Sequence, residues 1–172
     1  MTEDRLSHLI SLFRAAEFSG QESPAKLAAL SELQEVDDPR VTEFLVSVAA
    51  DPKEYDLARI ESLRALEIRN MGHEERHSMA RALARVLRED DDPDVRNYSA
   101  RALAAVMDVP AAQEAAARHL LDREEDEDVR HNAFFAVERG GANPWSLDIM
   151  KNCLEDESFR EGAARVLAQW TR

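Results

Sequence analysis

Five segments of this chain repeat one nine-residue pattern. It reads apolar, base, two free positions, small, two free positions, small, large apolar. The pattern runs from Ala58 to Leu66 (ARIESLRAL), Val95 to Leu103 (VRNYSARAL), Val129 to Val137 (VRHNAFFAV) and Phe159 to Leu167 (FREGAARVL). A weaker copy, AKLAALSEL, runs from Ala25 to Leu33 and places Glu32 at a small position. The copies begin 33, 37, 34 and 30 residues apart. Counted from zero, positions 0, 4, 7 and 8 fall on one stripe of a helix, so each segment is a helix with a buried face. A short unit returning at this interval buries that face against its neighbours, which predicts stacked helical hairpins.

The other half of each hairpin is legible upstream of each copy. The amphipathic segments are DRLSHLISLFRAAEF, PRVTEFLVSVAA, EERHSMARALARVLRE, AAQEAAARHLLD and PWSLDIMKNCLE. The expected fold is all-α, an α-solenoid of about five antiparallel hairpins in one domain spanning 1–172. The hairpins fall at 2–36, 38–70, 73–107, 110–140 and 143–171. Prolines mark the boundaries: Ser23-Pro24, Asp38-Pro39, Asp51-Pro52, Asp92-Pro93 and Asn143-Pro144 each join a capping residue to a first-turn proline. Gly20, Gly72, Gly140 and Gly141 fall between elements. Gly162 lies inside the last helix, where it is expected to cost about 1 kcal/mol relative to alanine.

The repeats resemble the HEAT family, particularly its short bacterial HEAT-like members. The resemblance rests on Asp92-Pro93-Asp94-Val95-Arg96, on Asp128-Val129-Arg130, on the alanine-rich helices after them, and on DDPRVTEFLVSVAADP as the first helix of a repeat. It covers about residues 37 to 170. It implies that the second helices line a concave face. It also implies that the base at position 1 (Lys26, Arg59, Arg96, Arg130, Arg160) tethers adjacent hairpins through loop carboxylates and carbonyls. Function is not implied, because such repeats serve scaffolds, inhibitors, chaperone-like lyases and a few enzymes.

Acidic runs stand out at the turns inside the hairpins: Glu89 to Asp92 with Asp94, then Asp122 and Glu124 to Asp128, then Glu155 to Glu157. Acids at a helix start cap free amides and oppose the dipole. Stacked turns would also align them into an acidic ridge. Both readings stand, and the ridge reading makes Asp90, Asp91, Asp94, Glu124, Glu125, Asp126, Glu127 and Asp128 candidate partner contacts. If the acids only cap, neutralising Asp90 and Asp91 should change little, whereas Asp92→Ala should cost about 1 kcal/mol.

Positions 2, 6 and 9 of the pattern point away from the stripe. They hold Ile60, Arg64 and Glu67; Asn97, Arg101 and Ala104; His131, Phe135 and Glu138; Glu161, Arg165 and Ala168. Arg64, Arg101, His131 and Phe135 are further candidate partner contacts, since an exposed aromatic among arginines makes an interface anchor. Alternatively, Phe134 and Phe135 both tuck into a shifted seam.

Catalytic chemistry has no constellation here: no glycine-rich phosphate loop, no cysteine pair and no nucleophile elbow. Cys153 stands alone and reads as structural. His73-Glu74 is similar to the His-Glu pairs of HEAT-like di-iron hydroxylases. The positions after each Val-Arg, where those pairs belong, hold Asn97-Tyr98, His131-Asn132 and Glu161-Gly162 instead. No metal and no cofactor are expected.

The net charge of −13, from 35 acids against 22 bases, disfavours nucleic acid and favours a basic partner surface. A single cysteine fits a reducing cytoplasm, and no window reaches the ~18 apolar residues of a membrane span. The sequence-based expectation is a monomeric, non-enzymatic protein-binding module, either an inhibitor or immunity-type protein or an adaptor. The alternative is a lyase- or chaperone-like accessory protein that holds a chromophore or client in the concave groove.

Overall fold

The computed structural model describes residues 2–16 and 23–171. The described chain is all-helical and has no strand. Its ten α-helices are α1 (Thr2–Ala15), α2 (Pro24–Gln34), α3 (Pro39–Ala49), α4 (Asp56–Ile68), α5 (His73–Glu89), α6 (Pro93–Ala102), α7 (Pro110–Leu121), α8 (Glu127–Arg139), α9 (Pro144–Asn152) and α10 (Arg160–Trp170). Short 3-10 turns, Leu103–Val106 and Cys153–Glu155, extend α6 and α9.

Local chemistry accounts for most of these boundaries. Asp38 accepts a hydrogen bond from the Arg40 backbone N–H, and Asp92 from that of Val95 at 2.9 Å. Asp126 caps α8 through the Asp128 and Val129 amides. Asn143 and Ser146 close a reciprocal capping box at the start of α9. Ser23 precedes Pro24 as expected, but its side chain makes no cap bond. Asp51-Pro52 is a different device. Its carboxylate accepts from the Lys53 N–H, which closes an Asx turn, and α4 begins four residues after Pro52, at Asp56. Gly141 ends the fourth hairpin with φ of 78°, a conformation that side chains with a Cβ resist.

The repeat pattern lies on the second helices, and its stripe is the core. Ala58, Ser62, Leu66, Val95, Ser99, Leu103, Val129, Ala133, Ala136 and Val137 are all fully buried. On the stripe of the first copy only Ala29 and Leu33 are buried; Ala25 and Glu32, at positions 0 and 7, are exposed. Each first helix packs on the second helix of its own hairpin. In addition, α3 packs on α5 and α5 on α7, while α2 packs on α4, α4 on α6 and α6 on α8. Small residues on the stripe allow this close approach.

One outward assignment is corrected. Ile60, at position 2 of its copy, is only 8% exposed.

Between hairpins the motif bases form a ladder. Nε of Arg59, Arg96 and Arg130 donates to the carbonyl of Ala49, Leu87 and Leu120 respectively, near the end of the preceding first helix. Each guanidinium then reaches the next hairpin's loop: Arg59 to Asp90, Arg96 to Glu125, Arg130 to Asp156. Lys26 does the same with Glu54 at 2.6 Å. Arg160 keeps the carbonyl half of the pattern, on Leu154 at 3.0 Å. Arg59 is 2% exposed, and its buried guanidinium is matched by acceptors on two hairpins at once, the Ala49 carbonyl and the Asp90 carboxylate.

Candidate functional site

The ladder divides the acidic residues into two kinds. Asp90 and Glu125 turn inward, each side chain only 8% exposed, and hold Arg59 and Arg96. Asp91, Asp94, Glu124, Asp126, Glu127 and Asp128 remain exposed at the starts of α6 and α8. The predicted ridge therefore loses Asp90 and Glu125 to tethering and keeps the other six. Among those, Asp126 is also the α8 cap.

Glu125 illustrates the electrostatics. Burial pushes its carboxyl toward the neutral form, but hydrogen bonds from His119, the Asp126 N–H and Arg96 outweigh that and lower its pKa. His119 Nδ1 lies 2.6 Å from Glu125 Oε2. Asp156 is likewise held below the usual carboxylate range by the Arg130 hydrogen bond. Arg76 does the same for Asp108 across the α5–α7 side of the molecule.

The exposed face of the second helices carries a chain of cross-helix contacts. Arg64 lies over the Tyr98 ring at 5.2 Å and pairs with Glu61 at 2.8 Å. Arg101 pairs with Glu67 at 2.9 Å and covers the Phe135 ring at 5.0 Å. Arg165 reaches Glu138 at 3.3 Å, and Asn132 donates to Asn97. Phe134 and Phe135 part company: Phe134 is buried and stacks on Phe159 at 5.4 Å, whereas Phe135 is half-exposed beneath Arg101. His131 is exposed, hydrogen-bonds the Glu127 carbonyl and tilts against Phe159 at 4.9 Å.

So the structure brings Arg101 and Phe135 together and sets His131 one turn away. Arg64 joins the same face through Tyr98, a residue that the outward positions 2, 6 and 9 do not select. Tyr98 occupies position 3, and only a neighbouring helix decides that its ring meets Arg64. Arg69 was also missed. It binds Thr42 Oγ1 at 3.1 Å and the Val36 and Asp38 carbonyls at 2.7 and 3.0 Å, which clamps the connection between α2 and α3. It lies outside the nine-residue pattern, so nothing local marks it.

The His73 and His77 rings lie 4.2 Å apart, tilted against each other, on the first turns of α5. No group of three or more His, Cys, Asp or Glu side chains able to hold a metal occurs among the described residues. Cys153 is buried, and desolvation raises its thiol pKa to about 11. None of the described helices is long and apolar enough to cross a membrane. No protein-family model matches the chain, and no curated protein matches it significantly.

Proposed function

We propose that the chain is a HEAT-like α-solenoid of five hairpins that binds another protein without catalysing a reaction. It acts as an inhibitor, an immunity-type protein or an adaptor that masks a basic surface. Phe135 carries the reading. It is an aromatic ring half-exposed on an ordered face, held under Arg101, with the carboxylates of Glu127 and Asp128 on the first turn of its own helix. An aromatic anchor beside Arg, flanked by acids, combines a desolvated contact with charge that steers a cationic partner. The existing pairs Arg101–Glu67 and Arg165–Glu138 hold neighbouring side chains in place before binding, so less rotamer freedom is lost on association.

The test is site-specific photocrosslinking in cells from the organism that makes the protein. A crosslinking residue replaces Phe135 in one variant and Arg85, on the exposed side of α5, in another. Capture of one defined protein from position 135 and not from position 85 supports the proposal. Purified partner should then bind Phe135→Ala and the Asp91→Asn/Glu124→Gln pair more weakly, the latter with slower association at low salt. Equal capture from both positions, or none, would remove it.

A further inference from the structure

On the other side of the molecule, α5 and α7 enclose a groove of opposite character. Arg81 and Arg88 line it from α5, and Arg118 and His119 from α7. Ala84, Ala111 and Ala115 floor it, and Glu114 joins the lining from α7, one turn before Arg118. The three arginines are exposed, and Arg81 and Arg118 have no ion-pair or hydrogen-bond partner among the described residues. That is notable in a chain with 35 acids. Arg88 pairs only with its chain neighbour Glu89, both half-exposed. His119 differs: it is 8% exposed, with Nδ1 committed to Glu125.

We propose that this groove binds an extended acidic segment of another protein, through two carboxylates about three residues apart. The spacing follows from the helix. Arg81 and Arg88 are seven residues apart, about 10.5 Å along α5. A chain in the extended polyproline-II form covers about 9 Å in three residues and returns its side chain to the same face. Arg88 and Arg118 form one anion subsite and Arg81 the other. Guanidinium forks suit carboxylates because they donate two parallel bonds to one group. The alanine floor lets a peptide backbone lie close. Glu114 repels any acid between the two subsites, so two separated acids fit better than a continuous run. This surface is distinct from the Phe135 face, and the two readings stand or fall separately.

The experiment is fluorescence anisotropy with the full chain at low salt. The probe is a labelled, otherwise neutral peptide bearing two glutamates three residues apart. Binding should fall about tenfold or more when both glutamates become glutamine, and equally in Arg81→Gln/Arg118→Gln, because charge-assisted bonds supply the affinity. Both substitutions lie on exposed, unpaired side chains, so an unchanged thermal melt confirms folding. Arg85→Gln, on α5 outside the groove, should bind as the parent does, as should the Phe135→Ala protein. Several results overturn the proposal. These are no binding, equal loss in Arg85→Gln, equal binding of a peptide with adjacent glutamates, or displacement by inorganic phosphate alone at matching affinity. Concentration-dependent self-association abolished by Arg81→Gln/Arg118→Gln would also overturn it, since a second copy's acidic loop would then be the occupant.

Discussion

Ser99 Oγ is buried without a hydrogen-bond partner. Ser62, at the same position of the preceding copy, donates back to the Ala58 carbonyl at 2.8 Å. A buried hydroxyl without a partner costs desolvation with no return, so Ser99→Ala should stabilise the protein by about 1 kcal/mol. In a chain of this size that is roughly 2–4 °C in melting temperature. Ser62→Ala, which gives up a bond, should not share the gain; a thermal melt of both variants decides. The acidic run before α6 separates in the same way. Asp91 is exposed, and Asp91→Asn should change stability by less than about 0.5 kcal/mol. Asp90→Asn weakens the partner of a guanidinium that is 2% exposed and should cost about 1.5–3 kcal/mol. Chemical denaturation that found the two variants equal would contradict the ladder. If the acids only capped, both would be dispensable; Asp90 is set apart because its partner Arg59 lies on the previous hairpin, 31 residues upstream.

At the scale of the element, the glycines show where helices must approach. A Cβ at Gly140 would lie 2.8 Å from the Met107 Cβ, an atom fixed to the backbone, so the turn after α8 sits hard against the end of the α6 hairpin. Gly140→Ala should destabilise by about 1–3 kcal/mol through overpacking. Gly162 is a different case. Its added Cβ would meet the rim of the Phe134 ring at 3.3 Å. The gain of about 1 kcal/mol in helix propensity is then offset by crowding a ring already stacked on Phe159. Gly162→Ala should thus shift stability much less than Gly140→Ala in either direction, as paired denaturation curves would show. The glycine within α10 makes room for a neighbouring helix. From the sequence alone it reads only as a propensity cost.

For the molecule as a whole, arginine-paired carboxylates on and off the ladder set the response to acid. Asp108, Glu125 and Asp156 all have pKa values lowered in the folded state, and Arg40 holds Asp38 down at about 2. A depressed folded pKa gives stability that is present above the unfolded value near ~4 and is lost as pH falls through the folded one. The protein should therefore hold its stability at neutral pH and lose it steadily below about pH 4. Asp156→Asn removes one proton-linked rung. It should be less stable than the parent at pH 7 by about 1.5–3 kcal/mol, with the gap closing as pH falls through the lowered folded pKa of Asp156. A gap independent of pH would mean that the Arg130–Asp156 pair contributes nothing through its charge.

The sequence by itself determined the helices. Periodic small and apolar residues, with Asp92, Asp126 and Asn143 as caps, act over a few residues, and the chain carries all the information they need. It also marked Arg59, Arg96 and Arg130 as recurring, because recurrence is visible in one dimension. Only the tertiary structure decided which member of each acidic run a given arginine takes. Asp90, Glu125 and Asp156 lie six, five and four residues before their own hairpin's motif base. The offset depends on loop length and on how far each helix pair is rotated against the next. The same packing buried Ile60, split Phe134 from Phe135, brought Tyr98 under Arg64 and opened the arginine-lined groove between α5 and α7. These are contacts between residues roughly one repeat apart in sequence, and no local pattern encodes the angle at which two helices meet.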